Sequence, residues 1–317
     1  MGKTFGRMLL KNKLFLVVAV ILVFSIIFRE QPYIMYLFSL VFLYTIASHG
    51  LDIMVGWTGA LMFCPASLAV LGGYASALLV MKAGVPFGVT LLISMLLSGI
   101  VSVIVVSVVL LLDEPVDILL ITFSFEEITF HILQSWGWAG GSMGIRDIPY
   151  ISIFGLSLET PFETSLFIGI ALMIVWLIIS WLYKSRYGKR LRAIRTDPQL
   201  LESLGHSVTK GRIFTFFLGG CILGLFGAIY GALFHTLSPA GFTFGTMTLT
   251  IFFIIILGGM GTTQGPALGA ALWVLLPEIF AFAPKQKGLI IAVILIVVIM
   301  TLPKGIAGVF NKFEKGK

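Results

Sequence analysis

The sequence predicts an all-α fold, a polytopic transmembrane helical bundle forming a single transmembrane domain over residues 1–317. Three observations carry that prediction. Of the 317 residues, 58% are hydrophobic and only 11% charged, with a mean hydropathy of +1.07, whereas soluble domains carry about 25% charged residues. The apolar residues also come in continuous runs, and a helix needs ~20 of them to cross the hydrocarbon core. Finally, the runs do not alternate with a period of two, which excludes a membrane barrel.

Ten spans are predicted, at about 14–28, 33–49, 60–82, 87–112, 116–136, 165–184, 213–234, 246–259, 266–282 and 288–303. Several are short or contain Gly and Pro, so nine or eleven remain compatible with the pattern. Lys3, Arg7, Lys11 and Lys13 precede the run Leu14 to Phe28. That run ends in Phe28-Arg29-Glu30-Gln31-Pro32 rather than a small-residue cleavage site, and is read as an uncleaved first span. With the N-terminus inside, sixteen basic residues fall on the inner side and five on the outer. The positive-inside rule then predicts both termini in the cytoplasm. The net charge of +7 is accounted for by these span-flanking clusters and gives no reason to expect nucleic acid.

Between two blocks of spans lies one polar interruption, Tyr183 to Arg212 (cytoplasmic loop about 184–212), with eight basic residues. Thr196 followed by Gln199 fits a capping box, Asp197 and Pro198 suit a first helical turn, and Gly205 suits a helix stop. The short helix so bounded gathers Leu200, Leu201 and Leu204 on one face. At about two turns it needs something to lie against, so it is read as a docking element.

On the other side, Gly137 to Thr164 (outer loop about 137–164) is rich in Gly, Ser and Pro. It suits either a landing surface for an external partner or a plain connection. Two further stretches break the run of apolar helices: Gly50 to Tyr74, and Gly231 to Gly269. Gly and Pro at membrane depth mark either tight helix packing or broken backbone lining a cavity. One interrupted segment in each half is a pointer to a transport path.

Glu126 and Glu127 fall within a predicted span, with His131 four residues after Glu127. They suit a pathway or partner interface, ion coupling in a secondary carrier, or pairing with another span. Asp52 and His49 are expected near a span end, solvated by the interface. Asp113, Glu114 and Asp117 flank Pro115 in a short inner turn. Cys64 and Cys221 lie in apolar sequence without ligand spacing, and His206 and His235 have no companions, so no metal site is expected. The chain has no GxxxxGK[ST] phosphate loop, no HExxH and no GxSxG, so neither ATP hydrolysis nor intramembrane hydrolysis is expected of it.

The run Gly188-Lys-Arg-Leu-Arg-Ala-Ile-Arg-Thr-Asp-Pro-Gln-Leu-Leu-Glu-Ser-Leu-Gly205 resembles the cytoplasmic coupling loop of branched-chain amino-acid ABC importer permeases, Liv-type membrane subunits of the M kind. Ser238-Pro239 with Phe242-Thr243, Leu257-Gly-Gly-Met-Gly261, Gly265-Pro-Ala-Leu-Gly269 and Pro277-Glu278 are similar to that family's downstream signatures. In the first half, Gly56-Trp-Thr-Gly59 and Gly73-Tyr74 match, while Met62-Phe-Cys-Pro-Ala66 replaces the family's Ser-Leu-Gly-His-Ala and Phe123-Ser-Phe-Glu126-Glu127 stands for its Leu-Ala-Phe-x-Glu.

The resemblance implies a multi-pass subunit of a bacterial or archaeal cytoplasmic (inner) membrane that imports a small polar solute, such as a branched-chain amino acid, by alternating access. It implies no catalytic residues and no bound cofactor, ATP and Mg being used by partner subunits. Those partners are two cytoplasmic ATPases, a second homologous permease and an extracytoplasmic solute-binding protein. The ATPase-docking residues implied are Gly188, Leu191, Arg192, Ala193, Arg195, Asp197, Leu200, Leu201, Leu204 and Gly205. The candidate translocation pathway comprises Gly56, Thr58, Gly59, Gly73, Tyr74, Glu126, Glu127, Gly258, Gly259 and Gly261. An ion-coupled secondary transporter using Glu126 or Glu127 is the alternative.

Overall fold

The computed structural model describes residues 29–111, 115–153, 156–280, and then 296, 300, 301 and 305–308. The predicted first span, nearly all of the tenth, Asp113, Glu114 and both terminal basic clusters lie outside the described residues. Eight helical segments stand where the eight intervening spans are predicted. They are α1 (Pro32–Leu51), α2 (Pro65–Ala83), α3 (Phe87–Val109), α4 (Pro115–Ser135), α5 (Pro161–Lys184), α8 (Val208–Phe234), α9 (Leu249–Gly258) and α10 (Gly265–Ile279). Two helices of the polar interruption, α6 (Arg186–Thr196) and α7 (Pro198–Ser203), lie between α5 and α8.

Among the described residues, five helices are long and apolar enough to cross a membrane: α1 with its extension to Gly56, α2, α3, α5 and α8. The other three differ for physical reasons. α4 has 21 residues but carries Asp117, Glu126 and Glu127, while α9 and α10 have 10 and 15 residues.

Proline starts many of these helices, at Pro32, Pro65, Pro161, Pro198 and Pro266, where its missing N–H costs nothing. α5 adds a capping box, with Thr160 Oγ1 accepting from Glu163 N and the Glu163 carboxylate accepting from Thr160 N. A span predicted to begin at 60 begins instead at Pro65. Helical backbone runs on from α1 through a π-turn, Asp52–Gly56, to Thr58, and residues 59–64 are open chain. Gly59 has a φ of +74°, a left-handed conformation that ends the helix.

The centre of the bundle is α8, packed on α2 and α3 through small residues. A β-carbon on Gly227 would sit 1.7 Å from Ala69 O, and one on Gly72 2.5 Å from Gly224 Cα. Helices approach this closely only where side chains are absent. Serine hydroxyls join the contacts: Ser98 Oγ donates to Leu68 O (2.8 Å) and Ser102 Oγ to Phe216 O (2.8 Å). The outward face of α3 carries exposed Leu92, Leu96, Ile100 and Ile104, and that of α5 Ile170, Ile174 and Ile178. Their spacing of four places each set on one apolar stripe, suited to lipid or another apolar helix.

α8 has 27 residues, about 40 Å at 1.5 Å each, and separates the two ends of the bundle. α6 and α7 lie at one end. At the other, the segment predicted as an outer loop forms two 3₁₀ turns, a β2–β3 hairpin (Ser152–Ile153, Leu156–Ser157), and β1 (Ile145–Arg146) paired antiparallel with β4 (Thr236–Leu237) just beyond α8. Lys82 at the end of α2 donates to Trp138 O (2.7 Å) and lies over its ring.

The packing of α8 yields a direct test. Gly227→Val has no room against backbone and is expected to destabilise the protein by roughly 1–3 kcal/mol, read as a lowered thermal midpoint of the purified protein in detergent. Gly88→Ala on α3, where an added β-carbon meets nothing within 4 Å, serves as the matched control and leaves the midpoint unchanged.

Candidate functional site

The loop helices are built from local capping. Ser185 Oγ accepts from Gly188 N (2.9 Å) to start α6, and Gly188 must be glycine, since a β-carbon there would lie 2.0 Å from Leu182 O. Leu191 and Ile194 are buried beneath the helix, with Ala193 partly covered. Arg192 folds back, its guanidinium 3.4 Å from the centre of the Tyr183 ring and its Nη1 donating to Tyr183 O (3.1 Å). Arg195 reaches the other way, and its Nη1 donates to Gly56 O in the π-turn (2.8 Å).

The structure corrects two readings of this loop. Thr196 is not a cap: it is the last residue of α6, and the extended Asp197 caps α7 by accepting from Leu200 N (2.9 Å). Nor do the three leucines share a face. Leu201 is buried at 8% exposure, while Leu200 and Leu204 are 57% and 66% exposed. Successive helical residues turn by about 100°, so Leu201 closes the inner side of α7 and the pair four apart stands outward. Gly205 has a φ of +77° and ends the helix as expected.

Directly above α6, the two interrupted stretches touch. Asp52 and His49 were expected to be solvated, yet both are buried. The break in the second half supplies the reason for Asp52: its Oδ1 accepts from Gly261 N (2.7 Å). Gly56 lies between them, with room for no side chain beside Asp52 Oδ1 and Gly261 N. Thr58 is buried and donates to Met54 O. Gly258 packs so tightly on Gly265 that a β-carbon would lie 1.9 Å from its carbonyl oxygen. Gly259 is buried beside them in the same turn. Gly56, Thr58, Gly59, Gly258, Gly259 and Gly261 thus come together at the end of the bundle nearest α6. Gly73 and Tyr74 stand apart from them, on the α8 side of α2, where the Tyr74 hydroxyl donates to Leu237 O (3.3 Å).

A second junction forms halfway along α4. Thr122 Oγ1 accepts from Phe63 N (2.9 Å) on the open chain before α2. One turn on, Glu126 Oε2 accepts from Thr248 Oγ1 (2.7 Å), which itself accepts from Ala66 N (3.2 Å). The N–H groups of Ala66 and Ser67, in the first turn of α2, face the same carboxyl group, so the acid sits at the positive end of a helix dipole. Thr248 ends a second π-turn, Phe244–Thr248, that leads into α9. Glu126 is therefore buried against the start of α2 through Thr248, and Glu127 beside it is only partly covered. Thr122 and Thr248 are the partners that sequence reasoning missed. The signal was a hydroxyl one turn before Glu126 and the threonine-rich run 243–250.

Among the described residues no group of three or more His, Cys, Asp or Glu is arranged to hold a metal ion. Cys64 and Cys221 are buried, and Cys64 precedes α2.

Residues 33–300 match the family described as branched-chain amino acid transport system / permease component. The chain belongs to that family. It is 27% identical over 320 residues to the high-affinity branched-chain amino acid transport system permease protein LivM of Escherichia coli K12, covering 93% of this chain and 75% of that one. The Salmonella typhimurium LivM is 26% identical over the same shares. The probable branched-chain amino acid transport permease protein LivH of Methanocaldococcus jannaschii is 27% identical over 169 residues, 50% of this chain and 51% of that relative. No solved structure matches.

In this membrane permease, then, the Thr248 hydroxyl engages one oxygen of Glu126, and the ion-coupled alternative finds no support among the relatives. The junction at Glu126 is testable by an isosteric change. Thr248→Val removes the donor to Glu126 and the acceptor for Ala66 N together, and is expected to cost about 1–3 kcal/mol. A lower thermal midpoint for Thr248→Val, restored by Thr248→Ser, is the expected result.

Proposed function

We propose that this permease is the membrane subunit of an ATP-driven importer that carries branched-chain or related aliphatic amino acids inward by alternating access. The relatives' names supply the solute class, and the loop supplies the drive. In this reading α6 and α7 face the cytoplasm and dock on an ATPase subunit. A second permease subunit completes the path, two ATPases bind and hydrolyse ATP with Mg, and an extracytoplasmic solute-binding protein delivers the solute to the end formed by 137–164.

The observation that carries the reading is the Arg195 to Gly56 hydrogen bond. It joins the docking helices to the π-turn of the first interrupted segment, and Asp52 joins that turn to the second. Force applied to α6 by a closing ATPase pair therefore arrives where the helices are already broken. Leu200 and Leu204, an apolar pair standing in solvent on a capped helix, supply the surface an ATPase cleft would cover.

Docking and coupling separate experimentally. The double change Leu200→Asp with Leu204→Asp is expected to abolish co-purification of the ATPase subunits while the permease still inserts. Leu201→Asp instead buries a charge and destabilises the loop itself. Retention of the ATPases by the double variant would remove α7 from the docking site. Arg195→Gln is expected to leave the complex assembled but lower solute uptake per ATP hydrolysed by about tenfold, as loss of one charged hydrogen bond implies. Partial recovery is expected with Arg195→Lys.

A further inference from the structure

The two open stretches bring three phenylalanine rings together at the depth where α2 begins. Phe63 lies on the open chain 59–64, Phe244 starts the second π-turn, and Phe123 sits on α4 one turn before Glu127. The Phe63 and Phe244 ring centres are 5.1 Å apart at 72°, and those of Phe123 and Phe244 5.2 Å apart at 90°. Phe252 of α9 backs Phe63 edge-on at 5.2 Å. Phe252 is buried, whereas Phe63, Phe123 and Phe244 each keep part of their surface open. Leu61 on the same open chain is 48% exposed, and Gly245 and Thr246 are exposed as well.

This surface cannot face lipid. Irregular backbone within the hydrocarbon layer persists only where it is covered by protein or lines a watered cavity. Here the exposed backbone at Gly245, with Thr246, adjoins the Phe244 ring that meets Phe123 midway along α4. The rings alone would suit lipid, but the open peptide groups around them do not.

We propose that the solute passes this chain at the Phe63, Phe123 and Phe244 rings, which form a constriction that sorts zwitterionic amino acids by the size of their aliphatic side chain. The proposal rests on the importer reading above and names the surface that such a transporter uses. The rings offer an apolar wall that recognises the side chain, with the partly covered Glu127 one turn along α4 from Phe123. The Thr246 hydroxyl donates to Gly241 O (3.0 Å) and accepts from Thr243 N (3.1 Å), which leaves one lone pair to accept from the ammonium end. Because Phe63 and Phe244 belong to different interrupted segments, relative movement of the two segments changes the width between the rings.

The test uses the assembled importer in proteoliposomes, with uptake of radiolabelled alanine, leucine and phenylalanine driven by ATP. Phe244→Ala is expected to raise the ratio of phenylalanine to alanine uptake by about tenfold, the scale on which apolar pockets discriminate. A transporting variant with an unchanged ratio overturns the proposal. A variant too impaired to transport is replaced by Thr246→Cys, in which both buried native cysteines stay in place. Labelling by a membrane-impermeant thiol reagent that leucine slows supports the path. Absence of labelling, or labelling indifferent to leucine, places this face in an interface and overturns it. Failure of the wild-type complex to take up any of the three solutes overturns the importer reading instead, so the two outcomes stay distinct.

Discussion

Peptide groups freed by a broken helix inside a bilayer must find partners within the protein, because the hydrocarbon offers none. That constraint governs this permease. Each interruption leaves N–H and C=O groups without a helical mate, and each supplies a partner to the other. Gly261 N is met by Asp52, Ala66 N by Thr248, and the Thr248 hydroxyl by Glu126. Two elements far apart in sequence thereby depend on each other, and neither could straighten or withdraw without stranding a buried polar group at about 1–3 kcal/mol each. Asp52 is placed where it meets the N–H of Gly261, which offsets part of the cost of burying it.

Around that junction the bundle divides into parts of different stiffness. α2, α3 and α8 meet glycine to backbone and move as a block, since any slide of one past another meets carbonyl oxygens at once. α6 touches both parts. A β-carbon on Gly211 of α8 would lie 2.6 Å from Ile194 Cδ1, so the helix is seated on the start of the rigid block. Arg195, one residue beyond Ile194, holds the π-turn. π-turns place an extra residue in a helical turn and are frequent at functional sites. An element resting on the block and holding the turn can shift one against the other.

Much of this was legible beforehand, and the exceptions share a cause. Composition and run length announced the bundle, and Gly50 to Tyr74 and Gly231 to Gly269 marked both breaks correctly, because glycine and proline act on the backbone locally. The caps and apolar face that mark α7 have no counterpart in the basic run of α6, whose Leu191 and Ile194 gain their anchor only from the bundle above. Leu201 was grouped with Leu200 and Leu204 because spacing alone does not say which side of a two-turn helix meets the protein. Asp52 was misjudged for the same reason: its partner Gly261 lies 209 residues away. Glu126 was recognised as costly in the membrane, but its Thr248 partner is 122 residues distant, and only tertiary structure could bring a hydroxyl and a helix start to it.

The lengths of the connecting elements link the two junctions mechanically. α9 has 10 residues, about 15 Å, with Phe244 and Thr248 beyond one end and Gly261 beyond the other. Phe63 is likewise separated from the Arg195-held Gly56 by Trp57, Thr58 and the first open residues. Both ring-bearing segments are thus short levers whose far ends sit together above α6, gripped through Asp52 and Arg195. A displacement at α6 that parts Gly56 from Gly261 tilts α9 against the open chain 59–64, and the gap between Phe63 and Phe244 changes with it. Were the grip instead at the level of the rings, the same displacement would be absorbed locally. In the proposed mechanism, placing it a helix length away lets a movement at α6 alter the gap between Phe63 and Phe244.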